Sequence, residues 1–128
     1  MEQQQLKELT KAEEQVMQIL WELEHAFVKE IVAQFPEPKP AYNTVSTIVR
    51  ILVSKGFISY NSYGKSHRYF AEIDKETYKK MIAKKLLHSY FENSPKSMLS
   101  FFLQEEQLDI EELDDILTMI ERQKSQNP

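Results

Sequence analysis

Asn43, Ser46, Thr47, Arg50 and Ser54 recur at i, i+3, i+4, i+7 and i+11, the spacing of one helix face. Short donors and acceptors with one long cation are what a helix needs to read base edges in a major groove. Tyr42 and Thr44 join that face at its start. The hydroxyls suit phosphate or sugar contacts that fix register, and Arg50 can reach a guanine or a phosphate. A second group follows: Lys65, His67 and Arg68, beside Tyr60, Tyr63 and Tyr69. Such cations suit the sugar-phosphate backbone or a minor groove, while the tyrosines are expected to pack against a core.

The elements that position these groups can be read from periodicity. Thr10 to Glu13 has the pattern of a capping box, and Ala12, Val16, Met17, Ile19, Leu20, Trp21 and Leu23 supply the buried face of the helix it starts. Val28, Ile31, Val32 and Phe35 predict a shorter helix, stopped by Pro36, Pro38 and Pro40. The third helix is predicted to start near Ala41 to Asn43 and to run to about Lys55, with Gly56 as its terminator and Val45, Ile48, Val49 and Leu52 turned inward. Phe57 to Asn61 and Lys65 to Phe70 then read as a β-hairpin around a turn at Ser62 to Gly64. Three helices and a hairpin are the order of a winged helix-turn-helix.

Beyond Asp74, which is placed to cap a long helix, the chain reads as helical. Ser94 and Pro95 start a short helix and Asp109 starts the last one. Ile110, Leu113, Leu117 and Ile120 follow the 3-4-3 spacing of a helix that packs on another helix. Together with Tyr90, Phe91, Phe101 and Phe102 they are the candidate dimerisation residues. The expected fold is mainly α with a small β-hairpin wing. It comprises a winged helix-turn-helix DNA-binding domain over residues 1–74 and a C-terminal helical dimerisation domain over residues 75–128.

Charge sorts along the chain in the same way. The net charge of the 128 residues is -4, yet Pro38 to Ala71 has no acidic residue and holds Lys39, Arg50, Lys55, Lys65 and Arg68. Gln104 to Glu121 is the converse: Glu105, Glu106, Asp109, Glu111, Glu112, Asp114, Asp115 and Glu121, with no base. Duplex DNA responds to the local field and not to the sum.

Other chemistries find little support. The absence of cysteine removes disulfides, thiolate nucleophiles and zinc-thiolate sites. His25, His67 and His88 fall in three different elements without metal-ligand spacing, and no serine has a nucleophile's setting. Neither catalysis, nor a metal, nor a cofactor is expected. The chain start lacks an apolar run and no stretch reaches the length of a membrane span, so a cytoplasmic location without membrane insertion is expected. The rivals are a winged-helix module that binds only proteins and a regulator that senses a ligand or metal.

LTKAEEQVMQILWEL (Leu9 to Leu23), NTVSTIVRILVSKGFISY (Asn43 to Tyr60), GKSHRYF (Gly64 to Phe70) and QLDIEELDDIL (Gln107 to Leu117) resemble, in order, the penicillinase-repressor family of BlaI, MecI and the copper-responsive CopY relatives. The resemblance implies a homodimeric repressor on palindromic double-stranded DNA operators, typically of β-lactam-resistance genes. It also implies relief by proteolysis through a partner membrane sensor, which would act indirectly. The copper-responsive relatives have a cysteine-rich tail that this chain lacks. In the β-lactam type the cleaved bond is Asn-Phe; Phe101 stands at the asparagine's place, which makes Phe101-Phe102 the candidate cleavage bond.

Overall fold

A computed structural model describes residues 8–105 and 109–126. Glu106 of the acidic run, Gln107 of the tail motif and the polar chain start lie outside the described residues. In order come α1 (Lys11–Leu23), β1 (His25–Ala26), α2 (Val28–Gln34), α3 (Tyr42–Ser54), β2 (Ile58–Tyr63), β3 (Ser66–Ala71), α4 (Lys75–Tyr90), α5 (Pro95–Glu105) and α6 (Ile110–Gln126). The fold is mainly helical with a small antiparallel sheet, the winged-helix arrangement that the sequence predicts. The chain divides into two compact units, residues 1–83 and 84–128.

The first unit is built around one core. Val16, Met17 and Leu20 of α1, Val28 and Ile31 of α2, and Val45, Val49 and Leu52 of α3 are buried together with Phe57, Ile58, Tyr69 and Tyr78. Ile48 is half-buried, and Ala12, expected on the inner face of α1, is exposed. Ala12 lies in the first turn, where the capping box already holds the helix. There Thr10 Oγ1 accepts from the Glu13 N–H at 3.2 Å, and Glu13 Oε1 accepts from the Thr10 N–H at 3.0 Å.

The end of α3 fixes where the sheet begins. The Gly56 N–H bonds the Val53 carbonyl and the Phe57 N–H bonds the Leu52 carbonyl, both at 3.0 Å. This is a Schellman motif, with Gly56 in the left-handed region at φ 86°. Its apolar partners, Leu52 and Phe57, are fully buried. The same turn that satisfies the last carbonyls of α3 therefore anchors the first residue of the wing in the core.

The hairpin turn differs from expectation. Ser62 and Tyr63 belong to β2, paired with His67 and Ser66, and the turn is Gly64-Lys65. Gly64 has φ 62° and Lys65 is not among the positive-φ residues, the pattern of a type II′ turn with glycine first. A two-residue turn keeps the ladder intact to its end, whereas the expected longer turn would have left Ser62 and Tyr63 unpaired. The sheet also has a third strand. His25 and Ala26 pair with Phe70 and Tyr69, giving the order β1-β3-β2.

In the second unit every helix start has its own cap. Ser94 Oγ accepts from the Ser97 N–H at 3.1 Å, and Asp109 Oδ1 from the Glu112 N–H at 2.8 Å. Among the described residues its apolar side chains are half-buried or exposed, none buried. Phe91 packs on Phe101 at 5.6 Å between ring centroids, and Phe101 on Phe102 at 5.8 Å.

Candidate nucleic-acid interface

Burial of Val45, Val49 and Leu52 turns the opposite side of α3 outward. Tyr42, Asn43, Thr44, Thr47 and Arg50 are exposed and Ser46 is half-buried. The Thr47 hydroxyl donates to the Asn43 carbonyl at 2.9 Å, which leaves its oxygen free to accept. No carboxylate interrupts this face, as the sequence of α3 requires.

The cations of the acid-free window fall into two groups. Lys55 Nζ sits 2.9 Å from both carboxylate oxygens of Glu13, whose side chain is nearly buried. Burial pushes the Glu13 carboxyl up, but its bonds to Lys55 and Thr10 outweigh that and hold it below the usual carboxylate range. Lys39 Nζ bonds the carbonyls of Ala33 and Phe35 at 2.9 and 2.6 Å, closing the end of α2. These two lysines hold the fold. Arg50, Lys65 and Arg68 have no ion pair among the described residues.

The wing presents two faces, because successive side chains of a strand point to opposite sides. His67 and Tyr69 lie on one, opposite Ser62 and Tyr60, and Arg68 projects from the other. The His67 ring stacks on Tyr60, 4.1 Å between centroids and 9° from parallel. Of the three tyrosines expected to pack inward only Tyr69 is buried; Tyr60 and Tyr63 are 41% and 52% exposed. The ladder accounts for this. β1 flanks β3 on one side and β2 is the outer strand on the other, buried at Ile58 and exposed from Tyr60 to its end. Burial raises the Tyr69 phenol, nearby Tyr60 and Tyr42 add to the rise, and Arg50 works against it. Tyr69 is thus a neutral hydroxyl at neutral pH, and Arg50 lies within electrostatic reach of it.

The structure brings Tyr42, Ser46, Lys65 and His67 around one open cleft of about 530 Å³ between α3 and the wing. Asn43, Thr44, Thr47, Arg50 and Arg68 are not among its lining residues. Its third wall is the first turn of α2, with Phe27 and Lys29, which sequence reasoning passed over. The position of α2 immediately before α3 was the available signal. Among the described residues no three His, Asp or Glu side chains assemble into a metal-binding group, and no helix is long and apolar enough to cross a membrane.

A family model described as penicillinase repressor matches residues 9–122. The chain belongs to the penicillinase repressor family. The penicillinase repressor of Bacillus licheniformis is 22% identical over 121 residues, covering 94% of each chain. The methicillin resistance regulatory protein MecI of Staphylococcus aureus strain N315 is 22% identical over 116 residues, 90% of this chain and 94% of that one. Among solved structures, the solution structure of monomeric Bacillus licheniformis BlaI in complex with the blaP half-operator aligns with a TM-score of 0.49. It is 21% identical and covers 58% of this chain and 92% of that one.

Proposed function

We propose that this family member is a sequence-specific DNA-binding transcriptional repressor that acts from the cytoplasm as a homodimer on palindromic operators of resistance-type genes. The observation that carries the reading is the outward face of α3: exposed, free of carboxylates and flanked by a wing whose cations have no ion pair among the described residues. Asn43, Thr44, Ser46, Thr47 and Arg50 enter the major groove, with Tyr42 at the helix start. Lys65, His67 and Arg68 meet the backbone. The acidic face of α6 is repelled by phosphate and keeps the second unit off the duplex.

Dimerisation is supported by exposed apolar side chains in residues 84–128. Tyr90 is 74% exposed, Ile110 84% and Leu117 57%, with Phe101, Phe102 and Ile120 also exposed and Leu113 and Phe91 half-buried. Apolar surface of this kind marks an interaction site. Two winged helices joined in this way bind a dyad far more tightly than either alone, because the second contact becomes intramolecular. Proteolytic relief through a membrane sensor fits that coupling. Phe101-Phe102 lies within α5, so a protease must first open that helix.

Selection of duplexes from a random pool by the full-length protein tests the reading. The expected product is a dyad with half-sites about 10 base pairs apart or a multiple of that. In the same assay Arg50→Ala should weaken the selected site by about 1–3 kcal/mol and random DNA by less, as a base contact would. Equal loss on both makes Arg50 a phosphate contact. A pool that never enriches overturns sequence-specific binding.

A further inference from the structure

The cleft beside the wing has cations on facing walls: Lys29 from α2 and Lys65 from the hairpin turn. Neither has an ion pair among the described residues. The lining holds one carboxylate, Glu30, whose Oε1 accepts from the Phe27 N–H at 2.8 Å; it keeps its charge, and the two lysines outnumber it. Tyr42 and Ser46 add hydroxyls on the α3 side. The volume is that of a ligand pocket, but such pockets are mostly apolar and enclose a compact molecule. An open cleft with a lysine on either wall and hydroxyls at its base suits an extended polyanion.

We propose that this cleft receives one sugar-phosphate strand of the duplex, which makes Lys29 of α2 a DNA-contacting residue. The inference rests on the DNA-binding reading above and deepens it. The strand runs between α2 and the wing and does not merely pass the hairpin tip. Lys29 and Lys65 each neutralise a phosphate, and the Tyr42 and Ser46 hydroxyls donate to the non-bridging oxygens. Gripping the backbone from both sides sets how far α3 can slide along the groove, so Lys29 fixes register without reading a base.

The experiment uses full-length protein and a mixed-sequence duplex of about two helical turns, with affinity measured from about 50 to 200 mM salt. Each phosphate contact adds about 0.9 to the slope of log K against log salt. Lys29→Ala should lower the slope by about one per bound protomer, as Lys65→Ala does, and the double variant by about twice that. Lys29→Arg should keep the wild-type slope. Ethylation of the gripped phosphate should block wild-type binding and cease to matter for Lys29→Ala. A wild-type slope in Lys29→Ala beside a reduced slope in Lys65→Ala overturns the cleft assignment alone. Salt-independent binding by the wild type itself overturns the DNA-binding reading and the cleft with it.

Discussion

Residues 1–83 and 84–128 solve the problem of apolar surface in opposite ways. In the first unit α1, α2, α3 and the sheet close over one core, and every buried apolar side chain among the described residues lies between Val16 and Tyr78. The second unit has comparable apolar residues on the end of α4 and on the capped helices α5 and α6, and among the described residues it buries none of them. The first closes its core within one chain and turns the polar face of α3 outward. The second has stable helices and an unfinished interior. Local capping makes helices, but only a partner surface makes a core, and in residues 84–128 a second copy of the chain is the proposed partner.

The largest effect should come from denying the second unit that partner. Leu117→Asp with Ile120→Asp is expected to give a monomer and to weaken binding to a dyad duplex by roughly 100- to 10,000-fold, with the winged helix still folded. Sedimentation and a binding titration check both halves. A dimer that survives the double substitution would mean that these side chains do not join the subunits.

Next, the units should respond differently to core truncation. Phe57→Ala is expected to cost about 3–5 kcal/mol, whatever the protein concentration. Leu117→Ala should instead lower a thermal midpoint that rises with concentration, as linkage to association demands. Two midpoints that both ignore concentration would mean that the second unit is as self-sufficient as the first.

Smaller is the effect of Glu13, which ties the start of α1 to the end of α3. Glu13→Gln should cost about 1.5–3 kcal/mol, the range for hydrogen bonds to charged groups. The folded carboxyl titrates below its ordinary value. Its stabilising increment is therefore complete above the unfolded value, about pH 4.3, and is lost as pH falls through the depressed folded value. Urea unfolding across that range should show a weaker acid dependence in Glu13→Gln than in wild type. Smallest is Gly56→Ala, about 1–2 kcal/mol of backbone strain alone, since an added Cβ meets nothing within 4 Å.

What the sequence disclosed follows the range of the interactions involved. The Thr10–Glu13 box, the Gly56 terminator, the caps at Asp74, Ser94 and Asp109, and the outward face of α3 are local, and periodicity with cap residues reveals them. The strand β1 was invisible because two residues carry no alternation; it exists only through pairing with Tyr69 and Phe70. Lys55 read as one more cation of the acid-free window, since its partner Glu13 is 42 positions away. Lys29 was passed over because α2 was identified by its apolar positions, and a cleft formed by three elements has no signature in any of them.

Trp21 is the chain's one tryptophan. Its Nε1–H donates to the Ile73 carbonyl at 2.9 Å and its ring lies 6.0 Å from that of Tyr78, where the strand β3 gives way to α4. The chain thus carries a built-in fluorophore seated at one seam, with no second indole to blur its signal. Ultraviolet emission selected for tryptophan reports on that seam alone. The indole loses its hydrogen-bonded, half-buried setting when the start of α4 lifts from α1, or when the first unit as a whole unfolds. A red shift in emission that comes without loss of helical signal is therefore an optical record of that opening, readable in real time and without any label.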